Sequence, residues 1–202
     1  MPIKTILLID DKKFDLGPKN FLKNVRSEIC SLDIVDDDAA LCALTQDDAG
    51  GDWQGRTQWV KKTEVGDFEP WPDNLGIIEK LGELDLNTVK GGLLVLCDYD
   101  LKHFDALNKN GTLLRLYEVM DALDHAVGDG KLWFIVYTTY GSTEAKANIQ
   151  DIAGHALKLK HTAFIPQILL LYKGKEENNP GALRVFLEDN MDTFNNKKGA
   201  AL

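Results

Sequence analysis

The chain has 202 residues, 44% of them apolar, and a formal net charge of −9 at pH 7. That length suits one domain with an elaboration, and the apolar fraction is ordinary for a chain able to bury a sizeable core. The acidic balance argues against a nucleic-acid-binding face, which needs clustered Lys and Arg, and the longest apolar runs fall far short of a membrane span. Met1 to Ile9 is too short for a secretory signal. Cys30, Cys42 and Cys97 are odd in number and lack metal-ligand spacing, so reduced thiols and a cytoplasmic location are expected.

Lys4-Thr5-Ile6-Leu7-Leu8-Ile9 reads as a first strand that ends in Asp10-Asp11, followed by a polar turn over Lys12–Gly17. Pro18 suits a first helical turn, and Phe21, Leu22, Val25 and Ile29 recur at helical spacing. Ser31–Val35 is a weak second strand. Asp37, in the middle of Asp36-Asp37-Asp38, is placed to cap a short helix through Ala39, Ala40, Leu41 and Leu44, and a solvated cap is favoured over a metal site for the triplet. From 45 to 90 the texture changes, with Gly/Pro punctuation at Ala49-Gly50-Gly51-Asp52 and Glu69-Pro70-Trp71-Pro72-Asp73. Thr57–Val65 reads as one strand of a hairpin and Leu75–Leu84 as a short helix. Trp53, Trp59 and Trp71 read as a satellite core, with a partner surface as the alternative. The segment is read as an insertion.

Gly91-Gly92-Leu93-Leu94-Val95-Leu96-Cys97-Asp98-Tyr99-Asp100-Leu101 is the stretch around which the rest is organised. A short continuous apolar run between glycines and acid predicts a strand buried on both faces. In open parallel sheets ligands gather beyond the carboxyl ends of such strands, so Asp98 is a candidate site residue, although a solvated strand-end Asp is the plain alternative. His103–Gly111 is a polar loop. Leu113, Leu114, Leu116, Tyr117, Met120 and Leu123 predict a helix ending near Gly128-Asp129-Gly130. A third strand, Leu132–Thr138, ends in hydroxyls, and a helix over Glu144–Ala156 follows, capped by Ser142 or Thr143. Leu157–Phe164 is expected to hold the last strand, Ile168–Tyr172 to open a closing helix, and Leu183–Leu187 to be short and apolar. Strands alternating with helices predict an α/β fold with a parallel sheet.

Asp10-Asp11 after the first strand, Asp98 after the central one, Thr138 after the next and a basic residue near the last resemble the receiver domain of response regulators. The resemblance covers most of the chain except roughly residues 45–90 and the last twenty-odd. It implies a doubly wound, flavodoxin-like parallel sheet of five strands with helices on both faces, over residues 1–175, and leaves 176–202 as a C-terminal extension. It further implies that Asp98 accepts a phosphoryl group as an acyl phosphate in a two-component phosphorelay. Asp10, Asp11, Asp98 and the backbone carbonyl of Asp100 would hold Mg²⁺, an ion that prefers oxygen ligands and needs few of them. Thr138 would hydrogen-bond a phosphoryl oxygen and Lys160 would pair with another. Lys158 is a rival to Lys160, whose following residue is His161 where receivers carry proline, and an alignment on Ile165-Pro166 leaves no lysine. The implied partners are a histidine kinase or phosphotransfer protein and a downstream protein, with a homodimer left open and a phosphoacceptor domain favoured over an enzyme.

Asp98-Tyr99-Asp100 also resembles the haloacid-dehalogenase phosphohydrolases, in which Asp98 would be nucleophile, Asp100 general acid, and Asp189 or Asp192 a Mg²⁺ partner. That family puts the catalytic strand first and leaves Asp10-Asp11 without a role. A phosphorylation-independent receiver-like binding module is the third reading.

Overall fold

In a computed structural model of the chain, residues 2–13, 18–30, 32, 34–47, 58–62, 68–70, 81, 91–101, 112–139, 141, 143–171 and 181–195 are described. Among them the fold is α/β: strands β1 (Ile3–Lys13), β2 (Val35–Asp47), β3 (Gln58–Lys62), β4 (Phe68–Pro70), β5 (Gly92–Asp98), β6 (Lys131–Thr138), β7 (Thr162–Phe164) and β8 (Leu169–Leu170) alternate with helices α1 (Pro18–Ile29), α2 (Thr112–Ala126), α3 (Thr143–Ala156) and α4 (Ala182–Asn195). The sheet order is β4-β3-β2-β1-β5-β6-β7, with β8 also on β6. The pairs β1–β2, β1–β5, β5–β6, β6–β7 and β6–β8 are parallel. The hairpin β3–β4 is antiparallel and joins the end of β2 through Gln46↔Trp59 and Asp47↔Gln58.

The expectation of five strands is therefore corrected to eight among the described residues. Two come from the hairpin inside 45–90, and one from a break in the last strand. Pro166 cannot donate to a ladder, and between Phe134↔Phe164 and Tyr137↔Leu169 the last strand carries two more residues than β6. The helix expected from Ile168 is for that reason a strand. Of the helix expected over Leu75–Leu84, only Leu81 is described, and it is helical and buried in the main core. Trp53 and Trp71 lie outside the described residues.

The helix expected over Ala39–Leu44 is also a strand, paired residue by residue with β1 from Thr5↔Ala40 to Ile9↔Leu44. Alternation explains it: Ala39, Leu41 and Ala43 face one core, and Cys42 and Leu44 the other. Tertiary pairing outweighs the helix propensity of Ala and Leu. The Asp triplet is the extra length between Ile3↔Val35 and Thr5↔Ala40, a bulge that leaves Asp38 exposed and Asp36 half-buried.

Two cores sandwich the sheet. Leu7, Ile9, Val95, Cys97, Phe134 and Val136 meet α2 and α3 on one face; Ile6, Leu8, Leu94, Leu96, Trp133 and Ile135 meet α1 and α4 on the other. Each of the fully buried leucines of β5 contributes about 2 kcal/mol of transfer free energy. Leu183, Phe186, Leu187 and Phe194 recur at helical spacing and bury one stripe of α4, so the stretch read as an extension supplies a full helix of the fold. α2 ends where the sequence suggests, at Gly128, whose φ of 61° is the left-handed turn that stops a helix.

Gly92 makes room for the largest core side chain. A Cβ on it would stand 1.6 Å from the Trp133 ring. Gly92→Ala is expected to cost about 2 kcal/mol by overpacking, read as a lowered urea midpoint with the slope unchanged.

Candidate functional site

The strand order reverses between β1 and β5: β1 is followed outward by β2 on one side, and β5 by β6 and β7 on the other. Such a switch point leaves a crevice at the carboxyl ends of its two strands. Asp98 ends β5, and Asp10 stands level with it where the β1–β5 pairing stops, although β1 itself runs on to Lys13. Ile9 pairs with Cys97 across the two strands, so the two acids come next in register, and both are buried, at 0% and 2% exposure. Asp10 continues the row Ile6, Leu8 and Asp98 the row Leu94, Leu96, which puts both on the face covered by α1 and α4.

The third member is Tyr137, in register with Asp98 and on the same face. Its hydroxyl donates to Asp10 Oδ2 from two strands away, a backbone separation of roughly 9 to 10 Å, so the ring passes the end of β5. Burial pushes the phenol's pKa well above its ordinary value, and the charges of Asp10 and Asp98 push the same way. The hydroxyl therefore stays protonated and remains a donor. Tyr99 N–H continues the ladder to Tyr137 C=O at 2.8 Å, and Asp100 follows, half-buried, with Oδ1 shut off from solvent.

Asp11 is the next residue of β1, and its side chain lies outside the described residues. The structure does not bring Thr138 to the acids. One position beyond Tyr137, it takes the opposite pleat, toward Ala145 and Ile149 of α3. A slip of one residue reverses a strand's faces, and a tyrosine rather than a threonine is what stands opposite Asp98. Lys160 and Lys158 are at the other end of the sheet: His161 C=O accepts from Leu132 N–H at the start of β6, six residues from Thr138, which is about 20 Å of strand. Neither lysine reaches the acids. The strand continues past Pro166 to Leu171, whose N–H donates to Thr138 C=O. The next lysine in the chain, Lys173, is outside the described residues.

What holds the 158–162 turn instead is Asp124, near the end of α2. Its carboxylate accepts from Lys160 N–H (3.0 Å), His161 N–H (2.7 Å) and the Thr162 hydroxyl (2.8 Å). Burial works to raise its pKa, but the three hydrogen bonds and the nearby His161 outweigh that and hold it below the ordinary value. Sequence reading gave Asp124 no role, since its partners lie some 36 residues away. Tyr137 lies in a run that the sequence marks as a strand, but only its register with Asp98 shows that it faces the acids.

Asp10 and Asp98 offer only oxygen donors, which suits Mg²⁺; Asp189 and Asp192, on α4, are exposed, unlike the two buried acids. Among the described residues no group of three or more His, Cys, Asp or Glu side chains is gathered as a ready metal cage, and no helix is long and apolar enough to cross a membrane. Comparison with protein-family models, characterised proteins and solved structures returns no match.

Proposed function

We propose that the chain is a receiver-like signalling domain that takes a phosphoryl group on Asp98. The observation that carries this reading is the pair of buried carboxylates, Asp10 and Asp98, side by side at the switch point of a parallel sheet. The parallel order β2-β1-β5-β6-β7 with helices on both faces supports a doubly wound, flavodoxin-like architecture.

In the proposed reaction a carboxylate oxygen of Asp98 attacks the phosphorus of a donor. The donor's bond to phosphorus breaks (P–N in a phosphohistidine, P–O in acetyl phosphate), the donor nitrogen or oxygen leaves with the bonding pair, and an acyl phosphate remains. Asp10 and Asp98, with Asp11 beside them in sequence, are the residues that would hold Mg²⁺, which supplies charge neutralisation for the incoming phosphate. Tyr137 keeps Asp10 oriented and donates a proton's partial charge into the cluster. Phosphorylation replaces the single charge of the Asp98 carboxylate by an acyl phosphate carrying about two, adds bulk to a crowded acidic site, and the response is a shift of the neighbouring elements that a protein partner reads. The donor would be a histidine kinase or phosphotransfer protein, the output a protein contact, and the setting the cytoplasm.

Adjacency of β1 to β5 favours this reading over the phosphohydrolase one, because the phosphohydrolase pattern has no use for an acid on the first strand. With acetyl phosphate and Mg²⁺, intact-mass measurement is expected to show one added phosphoryl group, lost in Asp98→Asn. An adduct that survives Asp98→Asn, or sustained turnover of a generic phosphomonoester that Asp100→Asn abolishes, would overturn the assignment.

A further inference from the structure

The other face of the sheet carries a recess of its own. It lies at the carboxyl end of β6, between α3 and the Pro166 break in the last strand, and measures about 290 Å³. Ile149, Ile168 and Leu170 make its lining mainly apolar, and Leu170 is 53% exposed, an apolar side chain left facing water. Two polar groups meet there. Thr138 lines the recess although it is only 9% exposed, and among the described residues its hydroxyl has no hydrogen-bond partner. A hydroxyl that lines the recess can donate to a polar atom brought in by a ligand. Lys146 extends over Gly141, its Nζ 3.8 Å from where a Cβ on that glycine would stand, and among the described residues it pairs with no carboxylate. The amino end of α3 adds positive potential on the same side. Glu144 in that turn is near enough to Tyr99 to help raise its phenol pKa, burial being the main cause.

We propose that this recess binds a small amphipathic carboxylate, an aromatic or branched aliphatic acid. Lys146 and Thr138 together offer one charged and one neutral donor, which match the two oxygens of a carboxylate. A phosphate dianion would ask for more cations than the recess has. An apolar cavity of about 150 Å³ accommodates benzene, so this one accommodates a body of roughly a dozen non-hydrogen atoms. That body rests on Ile149, Ile168 and Leu170. The proposal is independent of phosphorylation at Asp98, which lies on the other face.

The test is a titration of the full chain with 3-phenylpropionate and with its neutral counterpart 3-phenylpropan-1-ol, followed by amide NMR. The acid is expected to saturate and to move the resonances of Thr138, Gly141 and Ile149, with the alcohol bound about fivefold or more weakly. Thr138→Val and Lys146→Gln are each expected to weaken the acid about fivefold while leaving the alcohol within about twofold. Lys146 is exposed, so its variant keeps the fold even if the buried Thr138 substitution does not, and the amide spectrum reports on both. Equal binding of acid and alcohol, absence of saturation at millimolar concentrations, shifts confined to another surface, or Lys146→Gln binding like the parent would each overturn the proposal.

Discussion

Asp124→Ala is expected to lower the unfolding free energy by about 3 to 4 kcal/mol, because it strips the acceptor from three donors at once and a hydrogen bond to a charged group contributes about 1.5 to 3 kcal/mol. Lys160 N–H can turn to water, since that residue is exposed, but Thr162 is only 6% exposed and its hydroxyl has no comparable recourse. The loss is structural as well as energetic. Asp124 is on α2 and its partners lead into β7, so the side chain sets the entry of the last strand onto β6. The pH dependence has a definite sign. Hydrogen bonds and His161 hold the folded pKa below the ordinary 3.8 despite burial. A depressed carboxyl contributes stability above the unfolded pKa and loses it as pH falls through the folded one. Urea titrations at neutral pH and from about pH 5 down to about pH 2 are expected to show an acid limb in the parent that Asp124→Asn flattens. An alanine variant within about 0.5 kcal/mol of the parent, the ordinary range of an inconsequential surface change, would show that the turn is held by something else.

The strands that position the acids were legible because they are short apolar runs buried on both faces, and β1, β5 and β6 have that composition for that reason. The place of the two acids was legible too, since each follows directly on an apolar run, although both carboxylates stay buried and β1 runs on to Lys13. What composition does not carry is register. Thr138 and Tyr137 are equally plausible from sequence, and only the pairing Asp98↔Tyr137 decides which hydroxyl shares the face of the acids. The last strand was legible only in part, for a related cause. Thr162–Phe164 falls within the expected Leu157–Phe164, but Lys158 and Lys160 precede the strand and the break at Pro166 delays its carboxyl end to Leu170, so counting along the chain stopped at the wrong end of the sheet. Ala39–Leu44 reads equally well as helix or strand over six residues, and a partner strand on β1 settled it. The closing helix was hidden differently. Val185 breaks the stripe by facing solvent at 53% exposure, while the spacing from Leu183 to Phe194 is long enough to need the whole helix to be seen.

Tyr137→Phe is expected to cost about 2 to 3 kcal/mol at neutral pH, the value of a hydrogen bond to a buried charged acceptor. The ring stays, so no cavity opens and the loss is that of the hydroxyl alone. Asp10, at 0% exposure, loses a donor while Asp98 remains beside it in register. The pH profile separates this from a packing effect. Burial first, and then the charges of Asp10 and Asp98, raise the folded phenol pKa above the ordinary 10.0. A raised acid contributes its stability fully below the unfolded pKa and loses it as pH climbs toward the folded value. The parent is therefore expected to lose stability steeply above about pH 10, and the Phe variant to lose that component while keeping the smaller slopes of Tyr99 and Tyr117, whose pKa values burial also raises. Denaturant midpoints from about pH 8 to about pH 11.5 read it directly. Asp10→Asn completes a double-mutant cycle. If the phenol acts on the Asp10 charge, the Phe substitution costs less in the Asn background, with a coupling of about 1 to 2 kcal/mol. Strict additivity, together with an alkaline limb unchanged in Tyr137→Phe, would show that the hydroxyl does not hold the acids together.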